Sequence, residues 1–242
     1  MIDLHCHLLP GIDDGAATMD EAVDLAKHAV QAGITHCVLT PHLHLARYEN
    51  FADEISSARD QFQAKLDEQG VKLTLGYAAE VRICPEMMFW IEQKKIPFLG
   101  NYEGYDILLL ELPHNQVPPG CDNLVRWLIE RNIRPMVAHP ERNKEIMANH
   151  SRIMPLVNAG CLVQLTAGAV AGKFGSASQE TAKYILEQGM ATILASDAHN
   201  LKHRPPELEH GRQQVELWLG EAKSWEMVMG KPMEIARSQF EH

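Results

Sequence analysis

Cysteine is scarce in this sequence and never forms a Cys-x-x-Cys pair. The five cysteines are scattered over 242 residues. An odd and dispersed set argues against a disulfide framework and against a zinc site built from thiolates. We therefore expect the thiols to be reduced and mostly buried.

Long basic runs and long apolar runs are also missing. The 22 Lys and Arg residues are outnumbered by 32 Asp and Glu residues, which gives a formal net charge of −10. Binding to nucleic acid or to an anionic membrane surface is therefore not expected. No apolar run approaches the roughly 18 residues of a transmembrane helix, and the start at Met1, Ile2 and Asp3 leaves no room for a signal peptide. We expect a cytoplasmic protein without stable membrane insertion.

The composition, with 45% hydrophobic residues, suits one globular domain over residues 1–242. Short apolar runs alternate with longer helical patterns, which is typical of a parallel α/β architecture. Strands are predicted at Ile2–His5, Ile34–Thr40, Leu73–Ala79, Tyr105–Leu112, Arg134–Ala138, Cys161–Leu165 and Ala191–Ser196. Helices are predicted at about Met19–Ala32, Phe51–Gly70, Pro85–Lys95, Asp122–Asn132, Arg152–Ala159 and Ser178–Gln188, with two more between Glu207 and Met229.

Seven strands that each precede a helix fit either a closed barrel or an open doubly wound sheet, and periodicity does not choose between them. The polar residues favour the barrel, because the C-terminal ends of its parallel strands open on one face and collect reactive groups there. Six of the seven predicted strands end with a histidine or a carboxylate. These residues are His5 and His7, His42, Glu80, Glu111, His139, and Asp197 with His199.

Taken one at a time, these residues are weak indicators. His5 and His7 point to the same side of an extended backbone and can bind one ion, but such a pair also occurs by chance at a surface strand end. Asp13-Asp14-Gly15, taken alone, is better interpreted as a turn before the next helix. Together, however, so many imidazoles and carboxylates on one rim would repel one another or stay unpaired unless cations held them.

With Asp14 included, the candidate ligands number nine, which is more than one ion can use. The sequence therefore predicts several metal ions. Mixed nitrogen and oxygen ligands suit Mn²⁺, Fe²⁺, Co²⁺ or Zn²⁺, and ligand type does not select among these four. Such a centre lowers the pKa of a bridging water and binds the oxygens of a phosphoryl or acyl group, which predicts hydrolysis. His44 and His114 are further candidates for contacts at the rim.

Two arginines follow candidate ligands closely in the sequence. Arg142 and Arg204 are expected over the same rim, where guanidinium groups can bind phosphate oxygens in a bidentate manner. A phosphorylated substrate is therefore favoured over a neutral amide. The alternative for each arginine is a surface ion pair with a neighbouring acid such as Glu141 or Glu207.

The motifs that carry these residues occur in a fixed order from residue 1 to residue 206. They are MIDLHCH at 1–7, PGIDDG at 10–15, TPH at 40–42, AE at 79–80, LEL at 110–112, AHPER at 138–142, ASDAHN at 195–200 and RPP at 204–206. With these motifs the sequence resembles the PHP superfamily, named for polymerase and histidinol phosphatase. Within it, the sequence resembles the branch of capsular-polysaccharide-type tyrosine phosphatases.

The resemblance implies a distorted (β/α)7 TIM-like barrel, the PHP fold, with three divalent metal ions at its C-terminal rim, most often manganese. It implies His5, His7, Glu80 and Asp197 as ligands of one ion, Glu80, Glu111 and His139 as ligands of a second, and Asp14, His42 and His199 as ligands of the third. It also implies that Arg142 and Arg204 bind the substrate phosphate. Together with Asp197 and His199, these two arginines are the expected catalytic residues. The segment 43–50 does not align with the family pattern, so substrate recognition there stays open.

The implied activity is hydrolysis of phosphotyrosine in the tyrosine-rich C-terminal tail of a bacterial autokinase that controls capsule or exopolysaccharide export. The expected mechanism is attack on phosphorus by a hydroxide that bridges metal ions, without a phosphoenzyme. A thiol-based tyrosine phosphatase is excluded, because no Cys is followed by five residues and Arg, and Cys121 and Arg126 have only four residues between them.

Three alternatives remain open from the sequence. One is a phosphatase of the same superfamily that acts on histidinol phosphate or another small phosphoester. A second is a metal-dependent amidohydrolase, although such enzymes often carry a carboxylated lysine and no lysine occupies a strand end here. The third is a non-catalytic module that binds the kinase tail and uses metals only to stay folded.

Overall fold

Parallel strands alternate with helices in the protein, which the computed structural model describes for residues 1–241. The strands are β1 (Ile2–Cys6), β2 (His36–Leu39), β3 (His42–His44), β4 (Tyr48–Glu49), β5 (Thr74–Tyr77), β6 (Glu80–Arg82), β7 (Asn101–Tyr102), β8 (Tyr105–Glu111), β9 (Ile133–Ala138), β10 (Leu162–Thr166) and β11 (Ile193–Ala195). The helices are α1 (Met19–Gln31), α2 (Ala52–Glu68), α3 (Met87–Glu92), α4 (Cys121–Ile129), α5 (Lys144–Ala148), α6 (Met154–Asn158), α7 (Ala167–Val170), α8 (Ser176–Glu187), α9 (Glu209–Leu219), α10 (Glu221–Trp225) and α11 (Lys231–Phe240). None of the helices within these residues is long and apolar enough to cross a lipid bilayer.

The parallel strands follow one another around a ring. In one sheet β1 pairs with β2 and β2 with β5, and in the other β3, β6, β8, β9, β10 and β11 lie side by side in that order. The chain joins the two sheets, because β2 continues into β3 after residues 40–41 and β5 continues into β6 after residues 78–79. On the remaining side, the His7 N–H donates to the Ala198 carbonyl at 2.8 Å, which connects β1 to the end of β11. The predicted distorted (β/α)7 barrel is confirmed.

Apolar side chains fill the barrel and the space between strands and helices. The residues of β8 from Leu108 to Leu110 are almost completely buried, as expected for a strand covered on both faces. Helix α1 buries one stripe of residues and begins at Thr18, whose side chain accepts the N–H of Glu21 at 3.3 Å. The N-cap of α1 is thus Thr18, so the preceding Asp13-Asp14 pair is not needed to cap this helix.

Several elements differ from the sequence prediction. The predicted strand Ile34–Thr40 ends early and is followed by β3, which pairs with β4 in a short hairpin over the segment that the family pattern did not cover. Helix α11 was not predicted, although Pro232, Ile235 and Ala236 form a buried face. Its Ile235 and Ala236 are fully buried and pack against interior strand residues such as Leu109.

Glu141 is a fully buried carboxyl group in the 3-10 turn that follows β9. Its Oε1 accepts the N–H of Thr166 at 2.8 Å, while Oε2 has no hydrogen-bond partner within residues 1–241. Burial raises the pKa of this carboxyl to about 7, although the Thr166 N–H and Arg142 favour the charged form. Glu141 is therefore a structural group that the fold prefers in its protonated form.

Replacing Glu141 with Gln should change how stability depends on pH. Because the pKa of Glu141 is raised in the folded state, the protonated carboxyl contributes stability that is fully present below its unfolded pKa of about 4.3 and is lost as the pH rises through about 7. We expect the free energy of unfolding of Glu141→Gln to match the wild type near pH 4 and to exceed it by up to roughly 3 kcal/mol at pH 8. Urea denaturation at both pH values measures this, with Glu180→Gln on the exposed face of α8 as a control that should show no such change. Identical pH dependence in Glu141→Gln and wild type would contradict the assignment.

Candidate metal centre

The nine predicted ligands lie together at the C-terminal ends of the strands. They are His5 at the end of β1, His7 just after it, Asp14 in the following loop, His42 at the start of β3, Glu80 at the start of β6, Glu111 at the end of β8, His139 after β9, and Asp197 and His199 after β11. Seven of them are buried, while His42 is partly exposed and Asp14 more so. The backbone turns sharply at two of these strand ends, because His139 and Asp197 have φ values of 34° and 52°. Such values are uncommon for residues other than glycine and often accompany functional sites.

Gln164 fixes the orientation of the His5 ring. Its Oε1 lies 3.0 Å from His5 Nδ1 and accepts the backbone N–H of His139 at 3.2 Å. Because a backbone N–H can only donate, the Gln164 atom that it contacts must be the oxygen, and His5 Nδ1 must carry a proton to reach the same oxygen. In neutral His5, Nε2 is therefore unprotonated, and its lone pair points into the centre.

Asp13 fixes His7 in the same way. Its Oδ2 lies 2.7 Å from His7 Nδ1 and accepts the backbone N–H of His42 at 3.1 Å, while its Oδ1 accepts the N–H of Gly15 at 2.9 Å. A carboxylate can only accept, so His7 donates from Nδ1, and in the neutral ring its Nε2 also presents a lone pair. A side chain on Gly15 would place its Cβ 1.9 Å from the His7 carbonyl oxygen, which is why glycine is needed in this loop.

The two free imidazole nitrogens face each other. His5 Nε2 and His7 Nε2 are 3.2 Å apart, and each lies 3.4 Å from the same oxygen, Asp197 Oδ1. Two lone pairs and a carboxylate oxygen at these distances repel one another unless a proton or a cation lies between them. This arrangement is what a metal ion with nitrogen and oxygen ligands requires.

Glu80 lies at the centre of the group and connects its parts. Its Oε1 is 2.8 Å from His139 Nε2 and 3.5 Å from His5 Nε2, and its Oε2 is 2.8 Å from His42 Nδ1 and 3.5 Å from His7 Nε2. The Glu80 side chain is fully buried, so each of its oxygens requires a cationic or hydrogen-bonding partner. One carboxylate shared by four imidazoles fits a bridging ligand between two metal ions.

A third set of ligands lies around Asp14. Asp14 Oδ1 is 3.2 Å from His42 Nε2 and 3.5 Å from His199 Nε2, and the His7 and His199 rings are only 4.0 Å apart between centroids. The buried His199 Nε2 has no hydrogen-bond partner in the described part of the chain. An orphaned buried nitrogen beside a carboxylate supports a cation at this position.

The groups that can hold an ion overlap with the three ligand sets that the family resemblance implies, without reproducing them fully. Glu111 joins Glu80 and His42 in one group, and His7 joins the Asp14 group as well as the His5 group. Among the described residues there are five compact groups of potential ligands, and four of them contain predicted ligands, whereas the fifth consists of Asp3, Cys6 and Cys37. The four groups are His7, Asp14, His42 and His199; His5, His7 and Glu80; His5, His139 and Asp197; and His42, Glu80 and Glu111. All nine predicted ligands thus occur in at least one group.

Electrostatics in the centre favour bound cations. Burial disfavours the charged form of His42, but Asp14 and Glu80 outweigh it and raise the pKa of this imidazole to about 11. Burial likewise disfavours protonated His7, yet Asp13 raises its pKa to about 9. Despite their burial, the surrounding imidazoles hold the pKa values of Glu80 and Asp197 well below the usual range. Without metal ions, protons on imidazoles balance the carboxylates in part, and metal ions would displace these protons.

The two predicted arginines converge on one carboxylate oxygen. Arg204 Nη1 lies 3.0 Å from Asp197 Oδ2, and Arg142 donates to the same atom. The alternative, an ion pair of each arginine with Glu141 or Glu207, is not what the structure shows. Glu141 accepts a backbone N–H, and Glu207 pairs with His28 and Lys173. Both guanidinium groups therefore face the centre, as predicted.

A cavity of about 370 Å³ opens over the metal ligands. The predicted His44, His114, Arg142 and Arg204 line it, together with four residues that sequence reasoning missed, Arg47, Tyr48, Arg82 and Phe174. Arg82 Nη1 lies 2.8 Å from Glu111 Oε1.

Sequence reasoning also missed the supporting roles of Asp13 and Gln164. A polar residue inside the apolar run Leu162–Thr166 was the available signal for Gln164, whereas the Arg47 and Tyr48 positions carried none.

Comparisons with known proteins show which proteins this chain is similar to. The tyrosine-protein phosphatase YwqE of Bacillus subtilis is 34% identical to the chain over 204 residues, which cover 84% of the chain and 79% of the relative. The putative tyrosine-protein phosphatase CapC of Staphylococcus aureus is 33% identical over 205 residues, which cover 85% and 79%. A solved structure from work on YwqE of Bacillus subtilis and CpsB of Streptococcus pneumoniae, described as unique metal-dependent tyrosine phosphatases, superposes with a TM-score of 0.91 at 30% identity and covers 99% of this chain and 95% of its own.

The sequence signature and the fold agree on the family. The family model for capsular polysaccharide synthesis, CpsB/CapC, matches residues 1–237. This span contains every predicted ligand, both arginines and the whole barrel. The family predicted from the motifs is confirmed, and the chain belongs to the CpsB/CapC family of capsular polysaccharide synthesis.

Proposed function

We propose that this protein is a metal-dependent phosphatase that hydrolyses phosphotyrosine in proteins. The observation that carries the proposal is the pair of lone-pair nitrogens on His5 and His7 that face each other beside Asp197. Its family relatives are named tyrosine-protein phosphatases, and the two arginines at the cavity give the centre a preference for phosphate over a neutral amide.

The proposed centre holds three divalent ions, of which Mn²⁺ is the first candidate and Fe²⁺, Co²⁺ or Zn²⁺ are alternatives. The fit rests on the orphaned His199 Nε2, the shared Glu80 carboxylate and the facing His5 and His7 nitrogens. Following the family resemblance, we assign the ions to the ligand sets His5, His7, Glu80 and Asp197; Glu80, Glu111 and His139; and Asp14, His42 and His199, each of which overlaps in part with a compact group of potential ligands. When bound, such ions lower the pKa of a water molecule to a value at which it can attack phosphorus and offset charge on the phosphoryl oxygens.

The protein's own side chains would bind and orient the substrate. Arg142 and Arg204 both line the cavity and both donate to Asp197 Oδ2, so a phosphoryl group that enters the cavity lies near two guanidinium groups. From this position both donors can turn to the equatorial oxygens as charge develops there. A tyrosyl leaving group has a pKa of about 10 and needs less proton assistance than a serine alkoxide, so no side chain is assigned as general acid.

The activity can be tested with p-nitrophenyl phosphate and added Mn²⁺. We expect turnover that is abolished by a chelator, restored by Mn²⁺, and reduced at least about 100-fold by His42→Ala or Asp197→Ala. Elemental analysis of the purified protein should give two or more metal ions per chain. Lys183→Ala, on the exposed face of α8, serves as the control and should keep full activity. A protein that binds a kinase tail without metal and without turnover would support the non-catalytic module instead.

The identity of the natural substrate is a separate question. The family description suggests that the substrate belongs to capsule synthesis. We propose that the natural substrate is phosphotyrosine in the C-terminal tail of a bacterial tyrosine autokinase, which would place the enzyme in the cytoplasm. We expect the Mn²⁺-loaded enzyme to release phosphate from a phosphotyrosine peptide of such a tail with a kcat/KM at least about 100-fold above that for histidinol phosphate, measured by phosphate release. A reversed preference would identify a small-molecule phosphatase on the same centre.

Asp13 should matter for metal affinity although it is not assigned as a ligand. Asp13→Ala removes the acceptor that keeps the proton on His7 Nδ1, so His7 Nε2 loses part of its availability for a metal ion. We expect metal affinity to fall by about 10-fold to 100-fold, as is typical for partners of metal-binding histidines, measured by equilibrium dialysis against Mn²⁺. Asp60→Ala, at an exposed position of α2, is the matched control. Unchanged Mn²⁺ binding in Asp13→Ala would show that Asp13 only shapes the loop.

A further inference from the structure

The hairpin β3–β4 places Tyr48 at the mouth of the cavity. In this hairpin His44 pairs with Tyr48 across the strands, and the Arg47 N–H donates to the His44 carbonyl at 3.0 Å. At the base of the hairpin, Asn50 Nδ2 donates to the carbonyls of Ile12 and His42 at 2.9 and 3.0 Å. The hairpin is thus tied to the loop that carries Asp14 and to the strand that carries a candidate ligand.

The Tyr48 ring is held next to the proposed metal centre. It lies nearly parallel to the His42 ring, with an interplanar angle of 15° and 5.8 Å between centroids. The ring is half-buried, and the exposed Arg47 guanidinium lies 5.0 Å from its centroid. Because Arg47 is exposed, its side chain can move away from the ring without losing a buried partner. The Tyr48 ring therefore lies directly beside His42, one of the proposed metal ligands.

The opposite wall of the cavity is aromatic as well. Phe174 follows β10, the sixth strand of the ring, whereas Tyr48 belongs to the hairpin on the second strand, so the two residues line the cavity from roughly opposite sides of the ring. The Arg142 guanidinium lies 5.1 Å from the Phe174 centroid. Buried candidate ligands such as Glu80 and Asp197 also line the cavity.

We propose that Tyr48 contacts the aromatic ring of the substrate and thereby selects aryl over alkyl phosphates. The inference rests on the proposed phosphatase function and adds the residue that determines its specificity. A phosphate bound at the floor must be connected to the peptide outside by a side chain that spans the half-buried walls. The phenyl ring of phosphotyrosine is long enough to connect the bound phosphate to the peptide outside, and it packs against Tyr48 in an offset or edge-to-face geometry. The side chain of phosphoserine is shorter and would bring the peptide backbone into collision with the cavity walls.

Binding of two non-hydrolysable probes separates ring recognition from phosphate recognition. Phenylphosphonate carries an aromatic ring, methylphosphonate does not, and both present the same anionic group to Arg142 and Arg204. In calorimetric titrations of the Mn²⁺-loaded protein, we expect Tyr48→Ala to weaken phenylphosphonate binding about tenfold and to leave methylphosphonate binding within about twofold of wild type. Tyr48→Phe should retain the affinity for phenylphosphonate, because the ring and not the hydroxyl makes the contact.

A control variant addresses the fold of the hairpin. Leu45→Ala changes an exposed residue of the same hairpin that does not line the cavity, and it should leave both affinities unchanged. Equal weakening of both probes in Tyr48→Ala, or failure of Tyr48→Phe to retain phenylphosphonate binding, would overturn the inference. Since the titrations do not depend on turnover, a wild-type protein that binds phenylphosphonate preferentially but hydrolyses no phosphoester would contradict the proposed function and leave the role of Tyr48 standing.

Discussion

In their neutral forms His5 and His7 present the lone pairs of their Nε2 atoms to each other across 3.2 Å, and the surrounding structure is organised so that neither ring can turn away. Gln164 and Asp13 hold the opposite ring nitrogens as donors, which prevents either histidine from relieving the repulsion by changing its tautomer. A protein maintains such an arrangement when a ligand compensates for it. The rigid supporting residues therefore indicate a metal centre more specifically than the ligands do.

Closure of the barrel brings these groups together. The ligands come from positions between residue 5 and residue 199 in the sequence, and they meet because parallel strands place their C-terminal ends on one rim. The backbone hydrogen bond from His7 to Ala198 joins the first and last strands directly at the site. The strand that ends without a histidine or carboxylate, β10, contributes Gln164, so all seven strands take part in building the centre. Fold stability and metal affinity are coupled as a result.

The ligands could be predicted from their joint position at the ends of predicted strands and, for Asp14, from the family motif that carries it, because each residue alone is a weak indicator. Glu111 within an apolar strand and His42 after a strand end are unusual at their own positions, and the same holds for the other strand-end groups. Asp13 could not be predicted, since its sequence position fits an ordinary turn and only the three-dimensional contact with His7 shows its role. Tyr48 depends on a hairpin with strands of two and three residues, which is too short to give a periodic signal. Helix α11 likewise lacks a pattern strong enough to stand out, because tertiary packing and not helix propensity fixes it.

Charge balance links metal binding to substrate binding. The centre contains four carboxylates among the candidate ligands, and Arg142 and Arg204 both donate to one of them, Asp197. Without metal ions, these acids would disfavour a phosphate dianion, and the two arginines would stay engaged with Asp197. Divalent ions held by these ligands would offset the acidic charge and compete for Asp197, which would free the guanidinium groups for the phosphoryl oxygens. The carboxylates proposed to hold the ions would thus also keep phosphate out of the metal-free protein.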